Sequence, residues 1–452
     1  MLQAAAAPQS TSDEPVAPAK PARLMSLDAY RGFIMLAMAS AGLGIGTVVK
    51  KSPDTFNGPI WQTLAFHVEH VPWIGCSFWD LIQPSFMFMV GVAMPYSYAG
   101  RRQRGDSYAS LLGHVLIRSI VLVALGVFLS SNWDKQTNFA FMNVLSQIGL
   151  GYLFVFLFMG RSVKVQVTAI AAIIVGYWLL FAAYPLPSES FDYKVEAGYS
   201  ASDVDSREYT LPGFWAHWNK NANFAADFDR WFLNLFPRMG DEPFVFNKGG
   251  YQTLNFIPSI ATMLLGLMAG EMLRSSRSSS VKFRWLVVAG AVCLVLGLAS
   301  GWTVCPVIKR IWTPSWVLAS GAATFWLLAV FYGLIDLPSA TGLRTAAVTA
   351  LFGRAPRFMR EWLYTCRFSF PLVVVGMNSI VMYMLSQLTK SWTRDTIKIH
   401  FGYFDSFGPI LNPFGPTIWN GQYGPIVQSA STLLMFWLFC WWLYRQKIFV
   451  RI

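Results

Sequence analysis

The sequence predicts an all-α, polytopic membrane protein of about ten transmembrane helices, with an extracytoplasmic cap between the fifth and sixth. Three observations predict it. Hydrophobic residues make up 54% of the chain and charged ones 13%, whereas a soluble domain carries ~25% charged residues. Apolar runs of membrane length recur along the whole 452 residues. Lys and Arg gather in alternate connections, so the net charge of +12 reads as an orientation signal rather than a surface for nucleic acid.

Taken in order, residues 1–22 form an Ala-, Pro-, Ser- and Lys-rich tail expected to be disordered and cytoplasmic. The first apolar run follows Lys20, Arg23 and Arg31, as in an uncleaved signal-anchor helix. Ten runs lie near 28–48, 77–99, 109–130, 141–159, 165–184, 254–273, 284–301, 315–335, 371–389 and 425–444. At ~1.5 Å rise per residue, each is long enough for a hydrocarbon core of ~30 Å. They divide the chain into a first transmembrane half, 23–184, a cap insertion, 185–253, and a second half, 254–452. One set of connections holds Arg101, Arg102 and Arg104; Arg161 and Lys164; Arg274, Arg277, Lys282 and Arg284; and Arg344, Arg354, Arg357, Arg360 and Arg367. The tail residues Arg445, Lys447 and Arg451 fall on the same side, which places both termini in the cytoplasm of a cell with an inner membrane of this kind. The cap has six Lys and Arg against ten acids and is rich in Trp, Tyr, Pro and Asn. No internal repeat of the inverted-transporter kind is visible.

The stretch from His67 to Gly91 carries the chemistry: H-V-E-H-V-P-W-I-G-C-S-F-W-D-L-I-Q-P-S-F-M-F-M-V-G. Asp80 stands near the start of an apolar helix, where a carboxylate is costly to hold and marks a functional-site candidate. His70 lies ten residues earlier, beyond Pro72 and Gly75, which can turn the chain back over the helix end. A neutral imidazole takes a proton or attacks a carbonyl, and a carboxylate on its other nitrogen fixes the tautomer. The same residues also read as a helix cap and a backbone-bonded acid. His67 and Glu69 read as solvated loop residues, and a metal site would need ligands that His114, His217 and His400 are badly placed to supply. Cys76, Cys293, Cys305, Cys366 and Cys440 show no paired spacing and read as small packing residues.

Other candidates are spread along the chain. Asp28 and Arg31, one turn apart at the start of the first run, read either as a local ion pair or as an anion-binding pair. Arg354 and Arg357 are candidates to bind phosphates, although orientation bias alone would place them there. Lys309 and Arg310 lie at the outer end of the eighth run, against that bias, and are candidates to hold a substrate anion or the acid; Trp312 is a substrate-binding candidate, and with Trp316 it reads also as an interfacial anchor. Asn378, Ser379, Tyr383, Ser386 and Gln387 fall on one stripe of the ninth run, which Asn143, Ser146 and Gln147 would complete.

These residues lie in motifs with a family likeness. R-L-M-S-L-D-A-Y-R-G-F, H-V-P-W-I-G-C-S-F-W-D-L-I-Q-P-S-F-M-F-M-V-G-V-A-M-P, N-V-L-S-Q-I-G-L-G-Y, K-R-I-W-T-P-S-W-V-L and G-M-N-S-I-V-M-Y resemble, in that order, the transmembrane acyltransferases typified by heparan-α-glucosaminide N-acetyltransferase. The resemblance implies an acyl-CoA donor, acetyl-CoA, on the cytoplasmic side, an amino-sugar or glycan acceptor on the other and a homodimer in the membrane lipid; the residue spacing itself argues for no metal. It implies that His70 matches the family's active-site histidine and Asp80 the aspartate of its following helix, working either through an acyl-histidine or by direct transfer. The expectation is an acyltransferase in which Asp28, Arg31, Arg354 and Arg357 hold the donor and Lys309, Arg310, Trp312 and Asn378 hold substrate. The competing readings are a sugar or sugar-lipid exporter using the polar stripe as its pathway, and a non-catalytic glycan sensor.

Overall fold

A computed structural model describes residues 24–188, 190–200, 209–238, 242–337, 346, 349–350, 369–402 and 416–450. The tail 1–22, Arg354 and Arg357 lie outside the described residues. Among those described, the regular elements are helices, joined at one point by an antiparallel bridge between Ile74 and Ile308. The first half runs α1 (Met25–Ala39), α2 (Ile45–Lys51), α3 (Pro59–His67), α4 (Ile82–Gln103), α5 (Tyr108–Ser130), α6 (Val144–Leu157) and α7 (Val163–Ala182). Region 185–253 contributes α8 (Tyr193–Ala197), a 3-10 turn at Gly213–Trp218 and α9 (Phe224–Leu233). The second half runs α10 (Phe256–Arg274), α11 (Ser279–Thr303), α12 (Pro314–Phe331), α13 (Ser369–Met377), α14 (Ser379–Leu388), α15 (Lys390–Gly402), α16 (Pro416–Asn420) and α17 (Gly424–Arg445).

The starts of these helices follow from local chemistry. Ser107, Asn143, Ser162, Asn223 and Thr313 each cap a helix, their side-chain oxygens accepting the N–H of Ser110, Ser146, Val165, Ala226 and Trp316. Pro314 follows Thr313 at the first turn, where a missing N–H costs nothing.

Among the described residues six helices are long and apolar enough to cross a membrane, or up to eight if each of two bent pairs is one span. Each of the ten apolar runs is helical, so the difference lies in two of them. α6 has 14 residues, about 21 Å at ~1.5 Å each, which is short of a bilayer core. α4 has 22 residues but carries polar positions facing protein, such as the fully buried Ser85. α10 and α12 are largely buried, whereas α5, α7, α11 and α17 expose apolar side chains such as Ile117, Ile120, Val175 and Val295. Water is a poor solvent for such faces and lipid a good one.

Close packing in the centre depends on glycines. Gly266 and Gly270 of α10 lie against the carbonyls of Phe88 and Val92, and Gly91 of α4 against that of Met263, so a Cβ at any of them would collide with backbone. This is the small-xxx-small solution to packing helices where lipid gives no hydrophobic drive. Gly32 of α1 meets Leu372 O and Gly376 of α13 meets Asp28 O in the same way.

The bends depart from continuous apolar runs. Between α1 and α2 the chain turns by 40° through Ala41, Gly42, Leu43 and Gly44, with φ of 49°, 62°, 49° and 68°. A left-handed turn of this kind costs Ala and Leu energy that glycine avoids. Its Gly42 abuts Val68 and Gly46 abuts the Glu69 side chain, so the turn buttresses the loop that holds His70. Between α13 and α14 the bend at Asn378 is 78°. The polar stripe expected on the ninth run is therefore cut: Asn378 donates from Nδ2 to Ile448 O and accepts from Val450 N at Oδ1, while Ser386 bonds its own helix at Tyr383 O. Asn143 and Gln147 do not complete it. They bond instead to backbone carbonyls, Asn143 to those of Gly126 in α5 and Ala140, and Gln147 to those of Phe141 and Thr253.

Region 185–253 shares a core with one end of the helices. Trp73, Tyr177, Phe181, Trp218, Leu254, Cys305 and Ile308 are buried together, and Trp73 Nε1 donates to Trp218 O at 3.0 Å.

Candidate active site

The loop after α3 returns over the start of α4. Pro72 and Gly75, the latter at φ +117°, allow the reversal, and Gly75 N donates to Val307 O to fix the loop against the α11–α12 connection. Ser77 and Asp80 then form a reciprocal cap: Ser77 N donates to Asp80 Oδ2 at 3.0 Å and Asp80 N to Ser77 Oγ at 3.3 Å. Asp80 lies in the 3-10 turn Trp79–Leu81, just ahead of α4, and is 1% exposed. Val71 N donates to the same Oδ2 at 3.2 Å. Oδ2 is thus engaged by the backbone, and Oδ1 is left for the site.

Oδ1 faces His70 Nδ1 at 2.7 Å and Lys309 Nζ at 3.4 Å. The carboxylate can only accept, so Nδ1 carries the ring proton and Nε2 keeps its lone pair. Lys309 Nζ is also 3.1 Å from Nδ1, but two donors cannot bond each other; its partner is Asp80. The His70 side chain remains 37% exposed, whereas Lys309 is 5% exposed. Burial is the largest effect on the Asp80 carboxyl and raises it, but the His70 bond, the Lys309 charge and the backbone N–H groups overcome it and hold the acid below its usual range. Burial pushes Lys309 down to about 8, against the pull of Asp80. Burial likewise lowers His70; Asp80 opposes this, and the Lys309 charge adds to it. The outcome is a neutral imidazole, oriented by a buried ion pair, with one nitrogen available as base or nucleophile.

The other candidates are placed as follows. Arg310 spans two segments, donating from Nη1 to Gly249 O at 2.6 Å and from Nη2 to Val71 O at 3.3 Å, so it ties region 185–253 to the His70 loop. Both cations stand over the Tyr251 ring, at 5.8 and 5.5 Å. Trp312 and Trp316 correct the expectation of interfacial anchors: both are fully buried, and Trp312 donates from its indole to Thr262 of α10. Asn378 is not brought to His70. α13 runs antiparallel to α1, with Gly376 on Asp28 and Leu372 on Gly32, so Asn378 lies at the Asp28 end. Asp28 and Arg31 pair at 3.8 Å at that same end. Glu69 pairs with Lys50 at 2.7 Å, and His67 Nδ1 accepts from Phe78 N. Among the described residues no three His, Cys, Asp or Glu side chains gather as metal ligands. Ser77, Val71 and Tyr251 were not singled out from the sequence, although the Ser-x-x-Asp spacing of a reciprocal cap was there to be read.

No protein-family model matches the chain. It is similar to the Homo sapiens heparan-alpha-glucosaminide N-acetyltransferase, 23% identical over 480 residues that take in 96% of this chain and 60% of the relative. It is similar also to the Mus musculus protein of that name, 22% identical over 412 residues, 82% of this chain and 54% of the relative. The chain thus spans little more than half the length of these curated relatives. The likeness first seen in the motifs extends along most of the sequence, and it is to proteins of this one name that the chain is similar.

Proposed function

We propose that the protein is a membrane-embedded acyltransferase that moves an acetyl or other acyl group from cytoplasmic acyl-CoA to an amino sugar, at the amine or a hydroxyl, on the far side of the membrane. One observation carries the reading: a part-exposed imidazole whose Nδ1–H is fixed by a buried Asp80–Lys309 pair, leaving Nε2 free. The names of the relatives supply the reaction class.

In direct transfer, the acceptor amine attacks the thioester carbonyl. A C–N bond forms, the C–S bond breaks, and the amine proton passes to His70 Nε2 and from there to the departing thiolate. Asp80 stabilises the imidazolium formed on the way, at Nδ1. Lys309 lies on the Asp80 side of the ring, so its task is to hold the acid and keep the ring neutral between turnovers. In the acyl-histidine route the same Nε2 attacks the thioester and releases CoA before the acceptor arrives. CoA release in a single turnover without acceptor separates the two routes.

Arg31, with Asp28 beside it at the opposite end of α1, is proposed to hold the CoA phosphates together with Arg354 and Arg357. The termini, the short basic connections and the Asp28 end of α1 are proposed to lie in the cytoplasm, with α13 and α14 bending at that end and region 185–253 as an outer cap that selects the acceptor. Replacing His70 by Ala in purified, folded protein is expected to lower acetyl transfer from acetyl-CoA to glucosamine by at least ~100-fold. Transfer at the wild-type rate overturns the mechanism.

A further inference from the structure

A cavity of about 470 Å³ opens beside this site, and nothing in the proposed chemistry uses it. Its walls are Ile74 and Val307, flanking the bridge between the two site loops, Leu211 and Trp215 of region 185–253, and Leu298 and Trp302 of α11. The lining is predominantly apolar and holds no charged side chain, so it suits a hydrocarbon better than a free sugar.

Its position says what it faces. Val295, Leu296, Leu298 and Trp302 are exposed along the end of α11, so the cavity mouth continues an apolar surface that suits lipid. Ile74 is four residues from His70 and Val307 two from Lys309, which bounds the distances along the chain to about 14 and 7 Å. The volume lies within the ~300–1,000 Å³ of small-molecule sites.

We infer that this cavity takes the aliphatic chain of a membrane-anchored acceptor, so that the acceptor is an amphiphile, an amino sugar on an alkyl or prenyl chain, with its head group presented to His70. The inference rests on the acyltransferase reading and names its substrate class. The chain enters from the lipid beside α11, Trp215 and Trp302 close over it, and the polar head emerges where the two site loops meet. Burying each methylene is worth roughly fourfold in affinity, so three or four of them give a preference of about 100-fold.

The test compares methyl and dodecyl glucosaminide as acceptors for acetyl-CoA in the purified full-length protein, wild type and Gly301→Leu. A Cβ at Gly301 already approaches Val307 Cγ2 to 2.8 Å, so leucine fills the cavity. The expected result is a kcat/KM ratio, dodecyl over methyl, of about 100 in the wild type that falls toward one in the variant. Equal rates in the wild type, or a ratio the variant leaves unchanged, overturn the inference. A dodecyl glucosaminide carrying a diazirine on its chain gives a readout that needs no turnover. Cross-links at Trp215 or Trp302, competed by dodecyl glucosaminide and lost in Gly301→Leu, support the cavity even if no acetyl transfer is found, in which case only the enzyme reading fails. Competition just as strong from dodecyl phosphocholine marks an ordinary lipid groove and overturns the substrate role.

Discussion

At the scale of single residues, the site turns on which nitrogen of His70 holds a proton. Asp80 decides it by accepting from Nδ1 at 2.7 Å. Asp80→Asn keeps an oxygen for Ser77 N and Val71 N but turns an amide N–H toward Nδ1, which forces the proton onto Nε2. We expect a folded protein with transfer reduced by ~10²–10⁴-fold, checked by circular dichroism and a CoA-release assay on one sample. Lys309 sets the pH range. Its charge disfavours imidazolium, so Lys309→Gln raises the His70 pKa and moves the acidic limb of kcat/KM upward by on the order of one pH unit, while Lys309→Arg restores the limb. A limb that stays in place would show that the cation acts only on packing. The His70–Asp80 pairing was legible because Pro72 and Gly75 separate an imidazole from a misplaced acid. Lys309 was legible as a cation on the wrong side. The burial of Trp312 was not, since an indole after a basic pair reads the same whether it faces an interface or a neighbouring helix.

At the scale of elements, the chain's helices were legible as apolar runs, but two of their breaks were not. V-V-V-G-M-N-S continues an apolar pattern with nothing that forces a stop. The bend there accompanies two long-range bonds from Asn378 to the C-terminal strand of chain at Ile448 and Val450. The turn at Ala41–Gly44 was likewise hidden in a run of small residues. A further inter-element tie joins α9 to the start of α10, where Asp229 Oδ2 accepts Thr253 N at 2.9 Å. Asp229 is fully buried, and burial pushes its carboxyl up to about 7, opposed by the bonds from Thr253. In the unfolded chain it ionises near ~3.9. Between those values the folded state holds a proton that the unfolded state has lost, so this group's contribution to stability falls as pH rises from about 4 to 7 and is constant above. Asp229→Asn should flatten that part of the profile and raise the melting temperature at pH 8. Thermal unfolding in detergent across the range checks it, and an unchanged slope would assign the dependence elsewhere.

At the scale of the whole molecule, cations and the candidate site stand at opposite ends of several helices. Arg101, Arg274 and Arg445 close α4, α10 and α17, and Asp28 and Arg31 open α1, while His70, Lys309 and region 185–253 occupy the other end. Reporter fusions check the orientation: a periplasmic reporter inserted at Lys248 should be active, and a cytoplasmic one at the C-terminus should be active as well. The reverse result would invert the map. The sequence offered Lys309 to the acid as one of two readings but could not choose between them across the 239 residues that separate it from His70, because separation along the chain says nothing of which loops converge.

The guanidinium of Arg310 grips Gly249 O with one nitrogen and Val71 O with the other. Val71 is the immediate neighbour of His70. Any displacement of Gly249 is therefore resisted, one residue from the reactive ring, by a single rigid plane of atoms.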